Sequence, residues 1–220
     1  ATHRALCLAE MAEAPVYIVH LTAARALEQV VQFRDRGLPV YAETCPQYLF
    51  CSFDDLAQEG FGGAKYVCSP PLRPAAMQED LWRGLATGQI QVVATDHCPF
   101  DFATQKQAGR EAFTKIPNGM PSLETRLHLL WDGGVRSGRI SPSRFVDLVA
   151  TAPAKLFGLY PRKGTLAVGS DADVVVWDPE REQSLSCRDL HMRVDYSPYE
   201  GRRVRGAPTH VLSRGAVIIE

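Results

Sequence analysis

The sequence predicts an α/β fold, a parallel sheet covered by helices, followed by a small β module. Two observations carry this prediction. Up to about residue 160, short apolar runs alternate with segments of helical periodicity, which is the pattern of a parallel sheet with helical connections. Beyond that point, short strand-like runs are separated by Gly, Asp and Pro. We therefore expect a boundary near residue 160.

The first half supplies strands that end in polar residues. In chain order it predicts an amphipathic helix over 1–14, a buried strand at 16–19, a helix capped by Thr22 and ended by Gly37, a strand at 38–42, a helix at about 74–85, and a strand at 90–94. The polar, turn-rich segment 99–120 is expected to be a long loop over one end of the sheet.

The second half supplies two more helices and the β module. Ser122 is the predicted cap of the first helix. Ser141, followed by Pro142 at the first helical position, is the predicted cap of the second. The short strands predicted after them lie at 166–168, 172–177, 210–212 and 216–219.

Composition excludes several classes of partner. Lys and Arg total 24 against 25 Asp and Glu, so no basic excess favours nucleic acid or an anionic membrane. No apolar run approaches the roughly 20 residues that span a bilayer. The six cysteines form no C-x-x-C pair, so we expect reduced thiols in a cytoplasmic protein.

Three apolar strands end in a polar residue of catalytic type: His20, Glu43 and Asp96. Singly, each is most simply a cap or a turn former. At successive strand ends, where side chains converge, they together indicate a metal or acid–base site. His20 offers an imidazole nitrogen suited to zinc, and Asp96 could bind a metal through one oxygen and accept a proton through the other. The chemistry they favour is metal-assisted hydrolysis.

Two loop residues and one histidine are weaker candidates. Ser69 precedes Pro70, which favours an extended backbone, and Asn118-Gly119 is a turn pair that leaves backbone groups free for a ligand. His97 follows Asp96, and only a supporting role beside a metal is suggested for it. Neither a phosphate-binding loop nor a G-x-S-x-G nucleophile motif occurs.

In combination, the motifs resemble the cyclic amidohydrolases of the dihydropyrimidinase and D-hydantoinase type, within the amidohydrolase superfamily. The resemblance extends over essentially the whole chain. The matching stretches are VYIVHLT (16–22), LPVYAETCPQYL (38–49), KYVCSPPLR (65–73), ATDHCPF (94–100), KIPNGMP (115–121), PAKLFGLYPRKG (153–164), GSDAD (169–173) and VDYSPYEG (194–201).

This resemblance implies a (β/α)₈ TIM-type barrel, with residues 1–160 as its C-terminal part and 161–220 as part of a β-sandwich. It implies a pair of zinc ions, with His20 a ligand of one and Asp96 a ligand of the other and the proton shuttle. Backbone groups at Ser69 and Asn118 would hold a small cyclic amide such as a dihydropyrimidine or a hydantoin. Ser122 departs from the glycine that many members have there.

The same resemblance predicts that this chain is a C-terminal fragment. The family's H-x-H pair, bridging lysine, another histidine and a tyrosine match no residue here, and the segment before the β module is shorter than the roughly 250 residues of a barrel. We therefore expect the fragment alone to be inactive and the full-length protein to be a homo-oligomer. The alternatives are a non-enzymatic scaffold and a related ring hydrolase, an allantoinase or dihydroorotase.

Overall fold

A parallel three-stranded sheet forms the first layer of the molecule. The computed structural model describes all residues, 1–220. Strands β1 (Val16–Ile18), β2 (Val40–Thr44) and β3 (Val92–Val93) lie side by side in chain order. Parallel neighbours must be joined by crossover connections, and both connections here contain helices, so all three strands end at the same edge of the sheet.

Seven α-helices accompany the sheets: α1 (Thr2–Met11), α2 (Ala24–Asp35), α3 (Pro46–Phe50), α4 (Gln78–Ala86), α5 (Arg126–Leu130), α6 (Pro142–Val146) and α7 (Ala152–Leu156). The fifth continues as a π-helical segment, Trp131–Arg136, and the sixth as another, Asp147–Thr151. None of the helices is both long and apolar enough to cross a bilayer.

Helix α2 shows how the sequence pattern produces the packing. Leu27, Val30 and Phe33 recur at helical spacing and are buried, each contributing roughly 1.5–3 kcal/mol of hydrophobic stabilisation. The helix ends where Gly37 takes a φ of +96°, a conformation that glycine adopts without a steric penalty. This end lets the chain turn directly into β2, as the sequence predicts.

An antiparallel sheet follows, with strands β4 (Val174–Ser184), β5 (Arg203–Ser213) and β6 (Ala216–Ile219) in that order. Arg214 and Gly215 both have positive φ in the tight turn between β5 and β6, which matches the right-handed twist of a hairpin. Val204 of β5 belongs to the same buried cluster as Val40 of β2, so the antiparallel sheet shares its core with the parallel layer.

Two predicted helix caps are wrong. Helix α2 begins one residue later than a Thr22 cap would give, with Ala23 at the N-cap, and the buried Thr22 hydroxyl has no partner. Ser122 does not cap α5, because its hydroxyl donates instead to the carbonyl of Thr95 at 2.7 Å. Both hydroxyls are buried, and neither accepts a hydrogen bond from a helix N–H group. The Ser141 cap is confirmed, with Oγ accepting from the Arg144 N–H at 3.1 Å.

The predicted strand at 166–168 is also wrong. These residues form an irregular turn region, and the side chains of Leu166 and Val168 are exposed. A strand needs a neighbour to satisfy its backbone groups, and this run pairs with none of the six strands. Three apolar residues were too short a pattern to predict pairing.

Candidate active site

His20 lies just beyond the end of β1 in a sparsely populated backbone conformation. Its φ is +36°, in the left-handed region that favours glycine. Its Nδ1 atom is buried and has no hydrogen-bond partner. Buried polar atoms are normally paired, so an unpartnered imidazole nitrogen at a strand end is free to bind an electrophile such as a metal ion.

Glu43, near the end of the neighbouring strand β2, fixes this position. Its Oε1 accepts a hydrogen bond from the backbone N–H of His20 at 3.3 Å, and its Oε2 accepts one from the Tyr17 hydroxyl at 2.7 Å. Burial, reinforced by the bond to Glu43, raises the pKa of Tyr17 far above its usual range, so the phenol stays a neutral donor. Both carboxylate oxygens of Glu43 are therefore occupied by hydrogen bonds, one from the backbone of His20 and one from the side chain of Tyr17.

Asp96 occupies the equivalent place after β3. Its φ is +47°, again in the left-handed region. Burial raises the pKa of its carboxyl, and the nearby His20 partly offsets that rise. His20 and Asp96 follow β1 and β3, whose ends lie at the same edge of the sheet.

The backbone strain is concentrated at these two residues. Only four non-glycine residues have positive φ, and the other two, Glu13 and Arg214, lie in turns on the periphery. Such a conformation costs roughly 1–3 kcal/mol and persists where the surrounding structure imposes it. Both strained strand-end residues are the ones that the sequence singles out as candidate metal ligands.

His97, which follows Asp96, connects two segments of the chain through hydrogen bonds. Its Nδ1 accepts hydrogen bonds from the backbone N–H groups of Ser122 at 3.1 Å and Leu123 at 3.3 Å. Burial lowers the pKa of the imidazole, which favours its neutral form. With this nitrogen occupied, the side chain ties the segment after β3 to the loop before α5. This role was not evident in the sequence, because the donors are 25 and 26 residues away.

Ser69 and Asn118 lie on two loops that meet beside Asp96. The Gly119 N–H donates to the Val67 carbonyl at 2.9 Å, which joins the two loops directly. Burial, with a smaller contribution from the Asp96 charge, raises the pKa of the Cys68 thiol to about 11. The Cys98 N–H also donates to the Met120 carbonyl at 3.3 Å, which joins the loop of Asn118 to the segment that follows Asp96. The side chains of Ser69 and Asn118 are exposed at this junction.

The chain by itself offers only part of a metal centre. The unpartnered Nδ1 of His20 and the desolvated carboxylate of Asp96 are donors of the right chemistry for a divalent metal. No group of three or more His, Cys, Asp or Glu side chains is arranged to hold a metal ion. Catalytic zinc usually takes about three protein ligands, so the two residues fit a metal site without completing it.

Comparison with known proteins gives one family and close relatives. A family model described as the amidohydrolase family matches residues 18–218. The chain is 55% identical over 219 residues to a D-hydantoinase of Streptomyces coelicolor and 50% identical over 219 residues to one of Geobacillus stearothermophilus. Among solved structures, a dihydropyrimidinase from Brevibacillus agri superposes with a TM-score of 0.99 at 50% identity, covering 100% of this chain and 48% of that one.

A more distant structure keeps the same fold. The L-hydantoinase (dihydropyrimidinase) of Arthrobacter aurescens is 37% identical, with a TM-score of 0.88, over 100% of this chain and 48% of its own length. The match covers 100% of this chain but 47% of the Streptomyces protein and 46% of the Geobacillus protein. The chain thus spans about half the length of the relatives it matches.

Proposed function

This chain belongs to the amidohydrolase family, and from that premise we propose that the whole protein hydrolyses the ring amide of a small cyclic amide, a dihydropyrimidine or a 5-substituted hydantoin. The observation that carries the proposal is the position of His20 and Asp96, each beyond the end of a parallel strand and each with a positive φ. These two strained residues follow strands of one parallel sheet, and their side chains have the donor atoms that metal-assisted hydrolysis needs. The names of the relatives support the substrate class.

In this proposal His20 and Asp96 hold a divalent metal, which we propose to be zinc, as two ions per complete site. When bound, zinc supplies a water of lowered pKa and polarises the ring carbonyl. The backbone N–H of His20 donates to the Glu43 carboxylate, and this bond orients the residue whose imidazole would bind the metal. Metal sites depend on such outer partners, which orient the ligands.

Asp96 is the proposed proton carrier. It accepts the proton that the attacking water loses as the new carbon–oxygen bond forms, and it delivers that proton to the ring nitrogen as the carbon–nitrogen bond breaks. A desolvated carboxylate with a raised pKa is suited to this transfer, because its protonated form is more accessible than in water. Backbone groups at Ser69 and Asn118 orient the amide beside it.

We also propose the larger architecture. Residues 1–160 would form the C-terminal part of a (β/α)₈ barrel and 161–220 part of a β-sandwich, supported by the parallel sheet with its polar edge and by the separate antiparallel sheet. We propose that the whole protein is a cytoplasmic homo-oligomer. Exposed apolar side chains on β4 and β6, such as Val175 and Ile218, are consistent with further packing partners.

The test is a metal and activity assay of the whole protein that carries this chain. Purified protein loaded with zinc is expected to hydrolyse hydantoin or dihydrouracil, and His20→Ala and Asp96→Asn are each expected to abolish turnover. His191→Ala is the control, since that side chain is 91% exposed and pairs only with Glu124 at the surface. Full activity in the Asp96→Asn enzyme would overturn the proposal.

The competing function, a scaffold without catalysis, predicts a different outcome. A scaffold gains nothing from a buried, unpartnered imidazole nitrogen or from two strained ligands. It predicts no turnover of any cyclic amide by the wild type and no loss of function in the His20 variant. Turnover of dihydroorotate or allantoin instead of hydantoin and dihydrouracil would assign the related ring hydrolases.

A further inference from the structure

Lys106 is a lysine with no exposed surface. It lies at the start of a short 3-10 turn, Lys106–Gly109, inside the long segment after β3. Its Nζ donates to the carbonyl of Pro117 at 3.0 Å and to that of Val67 at 3.4 Å. It takes part in no salt bridge, so backbone carbonyls are its partners.

The two carbonyls belong to the two loops of the candidate substrate site. Val67 precedes Ser69 by two residues, and Pro117 immediately precedes Asn118. The Val67 carbonyl also accepts from the N–H of Gly119 at 2.9 Å. One ammonium group therefore joins both loops at the point where they already touch.

Burying a lysine side chain in the core has a free-energy cost. Removing an ammonium group from water is costly, and an apolar side chain of similar volume would avoid that cost. Burial lowers the pKa of Lys106 to about 8, and Cys68 and Cys98 partly offset that decrease. At neutral pH the group is still mainly protonated and can donate to both carbonyls.

The segment that carries Lys106 is itself anchored. The carboxylate of Asp195 accepts hydrogen bonds from the backbone N–H groups of Phe102 at 2.6 Å and Ala103 at 2.7 Å. The Lys106 N–H then donates to the Asp101 carbonyl at 3.0 Å. The ammonium group is therefore presented from a fixed backbone, as a positioning element requires.

We propose that Lys106 is a positioning residue for the substrate, which holds the Ser69 and Asn118 loops at the separation that a flat, five- or six-membered cyclic amide needs between them. This inference rests on the proposed function. Lys106 does not touch the reacting atoms; it acts through the two carbonyls. Loss of its two hydrogen bonds should weaken binding of substrate and transition state alike, which raises KM more than it lowers kcat.

The test compares Lys106→Met with Lys115→Met in the whole, zinc-loaded protein. Lys115 is the matched control, because it lies on the same loop, is exposed, and its side chain forms no hydrogen bond or salt bridge. We expect Lys106→Met to raise KM for hydantoin or dihydrouracil about tenfold with a smaller change in kcat, and Lys115→Met to leave both unchanged.

Hydrogen exchange gives a second measurement that does not depend on turnover. Amides in peptides covering 67–70 and 117–120 should exchange faster in Lys106→Met than in the wild type or in Lys115→Met, while amides of α2 should not change. Unchanged exchange in those peptides would refute the proposal that Lys106 holds the two loops together. Faster exchange with an unchanged KM would refute the role of Lys106 in substrate positioning.

Failure of the proposed function is distinguishable from failure of this inference. If the wild type hydrolyses neither substrate, the proposed function falls, and the assignment of Lys106 to a substrate site falls with it whatever the exchange data show. If the wild type is active and the KM of Lys106→Met equals that of the control, only the inference is overturned. Should Lys106→Met fail to fold, Lys106→Gln keeps a donor group, an uncharged amide with two N–H donors, and is expected to give an intermediate KM.

Discussion

The backbone N–H of His20 donates to the Glu43 carboxylate at 3.3 Å, so a side chain near the end of β2 fixes the backbone just beyond the end of β1. The bond holds His20 at a φ of +36°. A candidate metal ligand is thus positioned through its main chain while its Nδ1 is left unpartnered. The relationship makes Glu43, and the tyrosine behind it, part of the site.

The first prediction concerns that tyrosine. Tyr17→Phe removes the 2.7 Å bond to Glu43 and should lower zinc affinity about tenfold, because the carboxylate that positions His20 becomes free to turn. Tyr41→Phe is the control, since Tyr41 lies directly opposite Tyr17 in the paired strands and has no hydrogen bond from its hydroxyl. Competition with a chelator measures the affinity, and equal values for the two variants would refute the prediction.

The second prediction is that one substitution, Asp96→Asn, raises stability and abolishes activity. In metal-free protein at neutral pH, Asp96→Asn should raise the melting temperature, because it removes a charge that burial disfavours. The same variant should be inactive, since an amide cannot carry the proton. Thermal unfolding in EDTA and a hydantoin assay check the two halves. A lowered melting temperature would contradict the first half. Asp189→Asn is the control, since that aspartate is exposed and its side chain forms no hydrogen bond or salt bridge.

The third prediction concerns the pH dependence of stability. Lys106 has a pKa of about 8 when folded, below its usual 10.5, so between these values the unfolded chain binds more protons and stability rises with pH. The full difference between these two pKa values corresponds to an upper bound of roughly 3 kcal/mol in the free energy of unfolding. Cys68 begins to ionise near the top of this range, so the measurement is the difference between the wild type and Lys106→Met.

For this third prediction, urea unfolding from pH 7 to pH 10 should give a free energy of unfolding that rises more steeply in the wild type than in Lys106→Met. The exposed Lys115→Met variant should follow the wild type. Parallel curves for the wild type and Lys106→Met would show that the lysine does not titrate in this window.

The fourth prediction concerns Ser122. Ser122→Ala removes the hydroxyl that donates to Thr95 next to Asp96, and it should lower the free energy of unfolding by about 1 kcal/mol. Catalytic efficiency should change less than threefold, because His97 still holds the Ser122 backbone. Ser143→Ala, at an exposed position of helix α6, is the control. A loss of activity without a loss of stability would assign Ser122 to the chemistry instead.

Much of the architecture was predictable from local pattern. The strands β1 and β2 and the helix between them follow from an apolar run, a helical stripe and a terminating Gly37. The Ser141 cap followed from its residue type and the Pro142 after it. The prediction at Ser122 failed because its buried hydroxyl donates to the Thr95 carbonyl, in place of a cap worth about 1 kcal/mol. The prediction at Thr22 failed because the helix begins one residue later, with Ala23 at the N-cap.

The sequence by itself determined the α/β order of elements and the polar residues that follow β1 and β3, because apolar periodicity and residue type are local properties. Only the tertiary structure decided that Tyr17 and Glu43, which are 26 residues apart, position His20, and that Lys106 reaches a carbonyl 39 residues away. A hydrogen bond between distant segments leaves no periodic trace in the chain, and its partners become neighbours only when the sheet edge and its loops are assembled.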